Sequence, residues 1–88
     1  NQNFPNPFNP VTTIKYDLEV TSFIKLKIYD ITGKYIKELV NQKQQSGNYE
    51  VKFDGSDLSS GVYFYKLTLE TVSGGKEFSE TKRMILLK

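Results

Sequence analysis

Gly61-Val62-Tyr63-Phe64-Tyr65-Lys66-Leu67-Thr68-Leu69, entered through Asp57-Leu58-Ser59-Ser60, is the stretch on which the fold turns. Tyr63, Tyr65, Leu67 and Leu69 fall on one side of a two-residue repeat, and Val62, Phe64, Lys66 and Thr68 on the other. A period of two, carried by aromatic and β-branched residues, predicts a long strand with one fully apolar face. The preceding Asp-Leu-Ser-Ser predicts a short helical turn, because Asp and Ser accept local backbone hydrogen bonds and Gly61 frees the chain to change direction.

Within that stretch, Ser59-Ser60-Gly61-Val62-Tyr63-Phe64-Tyr65 resembles the tyrosine corner of immunoglobulin-like sandwiches, whose pattern is Asp-Ser-Gly-x-Tyr-x-Cys. Two positions depart from it: Ser59 stands for Asp and Tyr65 for Cys. The second removes any inter-sheet disulfide, so aromatic packing is expected to fill that volume. An ordinary long central strand accounts for the same residues and stands beside the corner reading.

Composition narrows the function classes. A chain of 88 residues has room for one core only. It has no Cys, which removes disulfides and thiolate metal sites, and no His, which removes the commonest acid–base group. Twelve Lys and Arg against ten Asp and Glu give +2, with the signs interspersed, unlike a nucleic-acid footprint. No apolar run approaches the roughly 20 residues that span a bilayer. No signal-peptide pattern opens the stretch, so an export signal is expected elsewhere.

Asn1 to Pro10 carries prolines at 5, 7 and 10, which remove backbone donors and push the preceding asparagines into extended conformation. The lead-in 1–10 is expected to lie across the domain, pinned by Phe4 and Phe8, as an extended or turning segment rather than a central strand or helix. Ile14, Tyr16 and Leu18 oppose Thr13, Lys15 and Asp17 in the next strand. Ile24, Leu26 and Ile28 oppose Lys25, Lys27 and Tyr29 in the one after it. Asp30-Ile31-Thr32-Gly33 is a turn in which Asp30 bonds the following backbone and Gly33 takes a positive φ. From Lys34 to Val40 the three-residue spacing of Ile36 and Leu39 requires a bulge or a helical turn. Tyr35, Ile36 and Val40 favour the bulge. Asn41 to Ser46 reads as a polar loop, Tyr49-Val51-Phe53 as another strand, and Ser73-Gly74-Gly75 as a hairpin. Six or seven short strands with turn signals between them predict an all-β, immunoglobulin-like antiparallel β-sandwich of about seven strands, one domain over 1–88.

The last stretch breaks the alternation. In Lys82-Arg83-Met84-Ile85-Leu86-Leu87-Lys88 the apolar residues are consecutive, so both faces of the strand are hydrophobic. Only one face of a terminal strand meets the core of a two-layer sandwich. Either Ile85 and Leu87 or Met84 and Leu86 are then left outside, as a docking surface or as a lightly covered edge. The flanking basic residues suit an anionic partner and also act as gatekeepers against aggregation.

Four blocks together resemble the type A C-terminal sorting domains of the type IX (Por) secretion system. They are Pro5-Asn6-Pro7-Phe8-Asn9-Pro10 with the strand after it, Tyr29-Asp30-Ile31-Thr32-Gly33-Lys34, the corner with Gly61, Tyr63 and Tyr65, and Thr81 to Lys88. The resemblance spans the whole chain in the family's order; the hairpin at Thr71 to Glu77 is longer than the pattern. It implies an address domain at the C-terminus of a larger cargo protein. It implies that the cargo reaches the periplasm by a separate signal, and that an outer-membrane translocon reads the domain. A cell-surface sortase then removes the domain, and the cargo stays at the surface or is released. Recognition is implied for Lys82, Arg83, Met84, Ile85, Leu86, Leu87 and Lys88. The partners implied are translocon, sortase and cargo, with no nucleic acid, no membrane span and no cofactor.

Other classes of function compete. An accessory immunoglobulin-like module fits the same fold, since a sandwich implies no function. Tyr29, Tyr35 and Phe64 are the candidates for an aromatic carbohydrate-binding row, although nothing in their spacing shows convergence. A flagellar hook-capping-like domain shares the sandwich but does not need the basic-apolar ending. Catalysis would rest on Glu50, Asp54 and Asp57, and turn capping already explains the last two. A calcium site at Asp54-Gly55-Ser56-Asp57 falls short of the six to eight oxygens that the ion takes.

Overall fold

The computed structural model describes Asn3–Phe4 and residues 10–87, which form seven strands and no helix. The strands are β1 (Asn3–Phe4), β2 (Val11–Leu18), β3 (Ser22–Asp30), β4 (Tyr35–Gln44), β5 (Gly47–Asp54), β6 (Gly61–Thr71) and β7 (Glu77–Leu86). They make two antiparallel sheets, one ordered β1-β2-β5 and the other β4-β3-β6-β7.

The core lies between the sheets and follows the two-residue alternation. Ile14, Tyr16, Leu18 and Phe53 come from the three-stranded sheet. Ile24, Leu26, Ile28, Tyr63, Tyr65, Leu67, Met84 and Leu86 come from the four-stranded one. Each fully buried aliphatic or aromatic side chain contributes about 1.5–3 kcal/mol by leaving water. Tyr65, at the position of the corner's cysteine, is only 1% exposed, so an aromatic ring occupies the place of the disulfide. Among the described residues two polar side chains are buried as well: Thr12, and Ser22, whose Oγ donates to the Val20 carbonyl at 3.0 Å.

β4 carries the expected bulges. Its register against β3 slips twice, between the Leu26–Val40 and Lys27–Glu38 pairs and again between Ile28–Lys37 and Tyr29–Tyr35. The extra residues are Leu39 and Ile36, and both pack against the core, which accounts for their three-residue spacing. Two expectations are corrected. Asn41 to Gln44 is not loop but the second half of β4, paired with Ser22 to Lys25. An outer strand needs only its backbone ladder, so a polar run suffices there, and Lys43 guards the edge. The entry to β6 is a turn rather than a helical one, and it starts earlier: Asp54 Oδ1 accepts from Ser56 N at 2.9 Å and Gly55 O from Leu58 N at 2.9 Å.

In the lead-in, Asn3 and Phe4 pair with Ile14 and Thr13, so β1 is an outer strand, compatible with the prolines that follow. Pro5, Asn6, Pro7, Phe8 and Asn9, like Lys88, lie outside the described residues. Pro10 is half-buried, and its carbonyl accepts from Gly55 N at 2.9 Å, which ties the lead-in to the corner.

Candidate functional site

The ladder registers bring distant motifs to one end of the sandwich. Val11 faces Asp54, Asp30 faces Tyr63, and Gly61 faces Leu86. The Asp30 turn, the corner before β6 and the C-terminal tail therefore share that end. The links after β2 and β4 and the β6–β7 hairpin occupy the other.

The turn is built by one carboxylate. Asp30 Oδ1 accepts from Thr32 N at 2.9 Å, Thr32 Oγ1 at 2.6 Å and Lys34 N at 3.0 Å. Gly33 N returns to the Asp30 carbonyl at 3.0 Å, with Gly33 at φ +86°, a conformation that only glycine takes without strain. The Thr32 hydroxyl, followed by the Lys34 amide, holds the Asp30 carboxyl below its usual range.

The corner closes as the aromatic spacing implies. Tyr63 Oη donates to the Ser59 carbonyl at 2.7 Å, a hydroxyl reaching back four residues as a tyrosine corner does. Two residues on, burial pushes the Tyr65 phenol up to about 12, and the nearby Glu80 carboxylate adds to the effect.

β7 ends at this corner and its two faces differ. Met84 and Leu86 are fully buried, Ile85 is half-buried, and Leu87 is 51% exposed just past the strand. Lys82 is half-buried and Arg83 exposed. Of the two alternatives left open by the sequence, Met84 and Leu86 are the core face and Ile85 and Leu87 the outer one.

Residues that spacing left apart are brought together on the outer face of the four-stranded sheet. Tyr29 pairs with both Tyr35 and Phe64, and Phe64 with Arg83. The Tyr29 and Tyr35 rings meet edge-on, 6.1 Å between centroids and 68° between planes, and Lys27 Nζ stands 5.9 Å from the Tyr35 centroid. Tyr29, Gly33, Phe64, Lys66 and Thr81 line an open concavity of about 430 Å³ beside this row. One inter-sheet contact was not legible in the sequence: Tyr16 Oη donates to Gln44 Oε1 at 2.6 Å, while its ring stacks on Tyr49 at 5.4 Å. The sequence signal that Gln44 carried pointed to a loop.

The carboxylates considered for catalysis do not converge. Glu50 faces Lys15 at 3.4 Å, Asp54 caps its own turn, and Asp57 lies in the turn that follows. Among the described residues no group of three or more acids could hold a metal ion.

These features define a small immunoglobulin-like β-sandwich whose distinctive surface lies at one end, where the terminal strand meets two turns. A family model described as a secretion system C-terminal sorting domain matches residues 2–86, and the chain belongs to that family. Two solved structures resemble it. Dimeric latent PorU from Porphyromonas gingivalis superimposes with a TM-score of 0.74 at 22% identity, over 98% of this chain and 9% of that one. PorZ, an essential surface component of the type IX secretion system of the same organism, superimposes with a TM-score of 0.58 at 25% identity, over 99% of this chain and 11% of that one. The chain thus spans about a tenth of either protein. No curated protein sequence matches it. The domain functions as a C-terminal sorting signal for type IX secretion, acting for a cargo protein bound for the cell surface or the medium.

Proposed function

We propose that residues 1–88 act as one sorting domain, read by the outer-membrane translocon through the outward side of the segment Lys82 to Lys88. Within it, Met84 and Leu86 anchor the strand in the core, while Arg83, Ile85 and Leu87 present one basic and two apolar side chains outward. The observation that carries this reading is the exposure of Leu87, 51% against 0% for Leu86 beside it. A solvent-facing leucine behind an arginine suits a partner that supplies an apolar recess and a negative rim. Pro10, Tyr29, Asp30, Gly33, Gly61, Tyr63 and Tyr65 serve structurally, by shaping the end from which the segment emerges, and the family motif gives Pro5, Asn6, Pro7, Phe8 and Asn9 a structural rather than a recognition role. The domain passes through the periplasm with its cargo, a cell-surface sortase removes it, and it performs no catalysis of its own.

Truncation is a poor test, because removing Ile85 to Lys88 also removes Leu86 from the core. The clean variant is Arg83→Glu with Leu87→Ser, placed in the domain behind a passive reporter in a bacterium with a working type IX system. Reporter is expected to accumulate in the periplasm while the domain keeps its denaturant midpoint. Undiminished reporter in the medium and at the surface would overturn the proposal. A wild-type domain that leaves the reporter in the periplasm would instead favour an accessory module.

A further inference from the structure

We infer that the recognition surface extends beyond the last strand to a patch centred on Phe64, and that its partner is a protein surface with an apolar centre and an acidic rim. This rests on the proposal that Arg83, Ile85 and Leu87 are read. Cross-strand pairing places Arg83 beside Phe64 and Ile85 beside Val62, so the outward residues of β7 continue into the outer face of β6 without a break. Phe64 is in turn paired with Tyr29, and Tyr29 with Tyr35, which is 52% exposed. The wetted face of an antiparallel sheet ordinarily carries polar residues, so a contiguous aromatic and aliphatic patch there marks a contact surface. Tyr, Phe and Arg are the side chains that dominate protein interfaces.

The charges fix the chemistry of the partner. The aromatic row and the row next to it, Glu38–Lys27–Lys66–Thr81, hold three cations with Arg83 and one acid. At the far end of the same face the excess disappears: the rows Asn41–Lys25–Thr68–Ser79 and Lys43–Phe23–Glu70–Glu77 balance two cations with two acids. An acid-rimmed partner is drawn to the basic half bearing Phe64 and not to the neutral half, which sets its orientation. The concavity between Tyr29, Phe64 and Lys66 gives one partner side chain a recess to enter. A carbohydrate is the weaker fit, because sugar rings stack on coplanar aromatic faces and Tyr29 and Tyr35 stand at 68° to each other.

The test uses the same reporter fusion with three variants: Phe64→Ser with Lys66→Glu; Lys27→Glu with Lys66→Glu, which leaves the apolar residues intact; and Phe23→Ser with Lys25→Glu as the far-half control. Both near-half variants are expected to lower exported reporter about tenfold, the effect of losing roughly 1.4 kcal/mol of binding. The far-half control exports normally, and all three keep the wild-type denaturant midpoint. Normal export by the near-half variants, with failure of the Arg83/Leu87 variant, would overturn this inference and leave the terminal segment as the sole signal. Normal export by all would overturn both. Equal loss from near-half and far-half variants would also sink it. So would a purified domain that binds polygalacturonate through Phe64 and Lys66 while export is unaffected by their substitution.

Discussion

Tyr63 joins two roles in one side chain: its ring closes the core beside Leu86 and Met84, and its hydroxyl pins the corner by bonding Ser59 O at 2.7 Å. Tyr63→Phe keeps the ring and removes the bond, so it is expected to destabilise the domain by about 1 kcal/mol. For a domain of this size that lowers the midpoint of thermal unfolding by roughly 4–8 °C. An unchanged midpoint would mean that the corner is held by packing alone. Local features of this kind were legible in the sequence, because donor and acceptor lie within a few residues. Asp30 and Gly33 belong to the same class: a short carboxylate and a glycine three residues apart define their turn wherever it sits. The partnership of Tyr16 with Gln44 was not legible, since 28 residues separate them and they lie on different sheets, so only the packing of one sheet on the other brings them together.

At the level of the strand, β7 shows how a continuous apolar run serves two purposes. Alternation sends Met84 and Leu86 into the core and leaves Ile85 and Leu87 on the outer side. Leu86→Ala is therefore expected to destabilise by about 2–5 kcal/mol, through lost burial and the cavity left behind. Leu87→Ala, one residue later, is expected to shift stability by no more than about 0.5 kcal/mol. Urea unfolding of the two variants decides the matter, and similar losses from both would refute the assignment of faces. The run itself was plain in the sequence. Which side it turned inward depended on the register of β6 with β7, which pairs Gly61 with Leu86. β4 presented the reverse difficulty: its bulges were announced by Ile36 and Leu39, whereas Asn41 to Gln44 gave no sign of being a strand. An outer strand can be held by its backbone hydrogen bonds, and those leave no trace in side-chain pattern.

Across the whole sandwich, no disulfide ties the sheets, and buried tyrosines from both sheets meet in the core instead: Tyr16 from one, Tyr63 and Tyr65 from the other. This makes the fold sensitive to alkali in a defined window. A phenol carries charge only when deprotonated, so burial favours its neutral form and raises its pKa. Tyr65 is pushed from 10.0 to about 12 by burial and then by Glu80. Tyr16 is raised by burial and by Tyr49, against the lowering effect of its bond to Gln44. Between those limits the unfolded chain gives up phenol protons that the folded chain keeps. Stability is then complete below pH 10 and falls as the pH rises toward 12. The decisive comparison is wild type against Tyr65→Phe rather than one curve alone. Urea midpoints taken at intervals across this window are expected to fall for both, with the smaller slope in Tyr65→Phe, which lacks that phenol. Parallel slopes would show that Tyr65 ionises freely in the folded state. The aromatic core would then be open enough for hydroxide to enter, contrary to the 1% exposure of that ring.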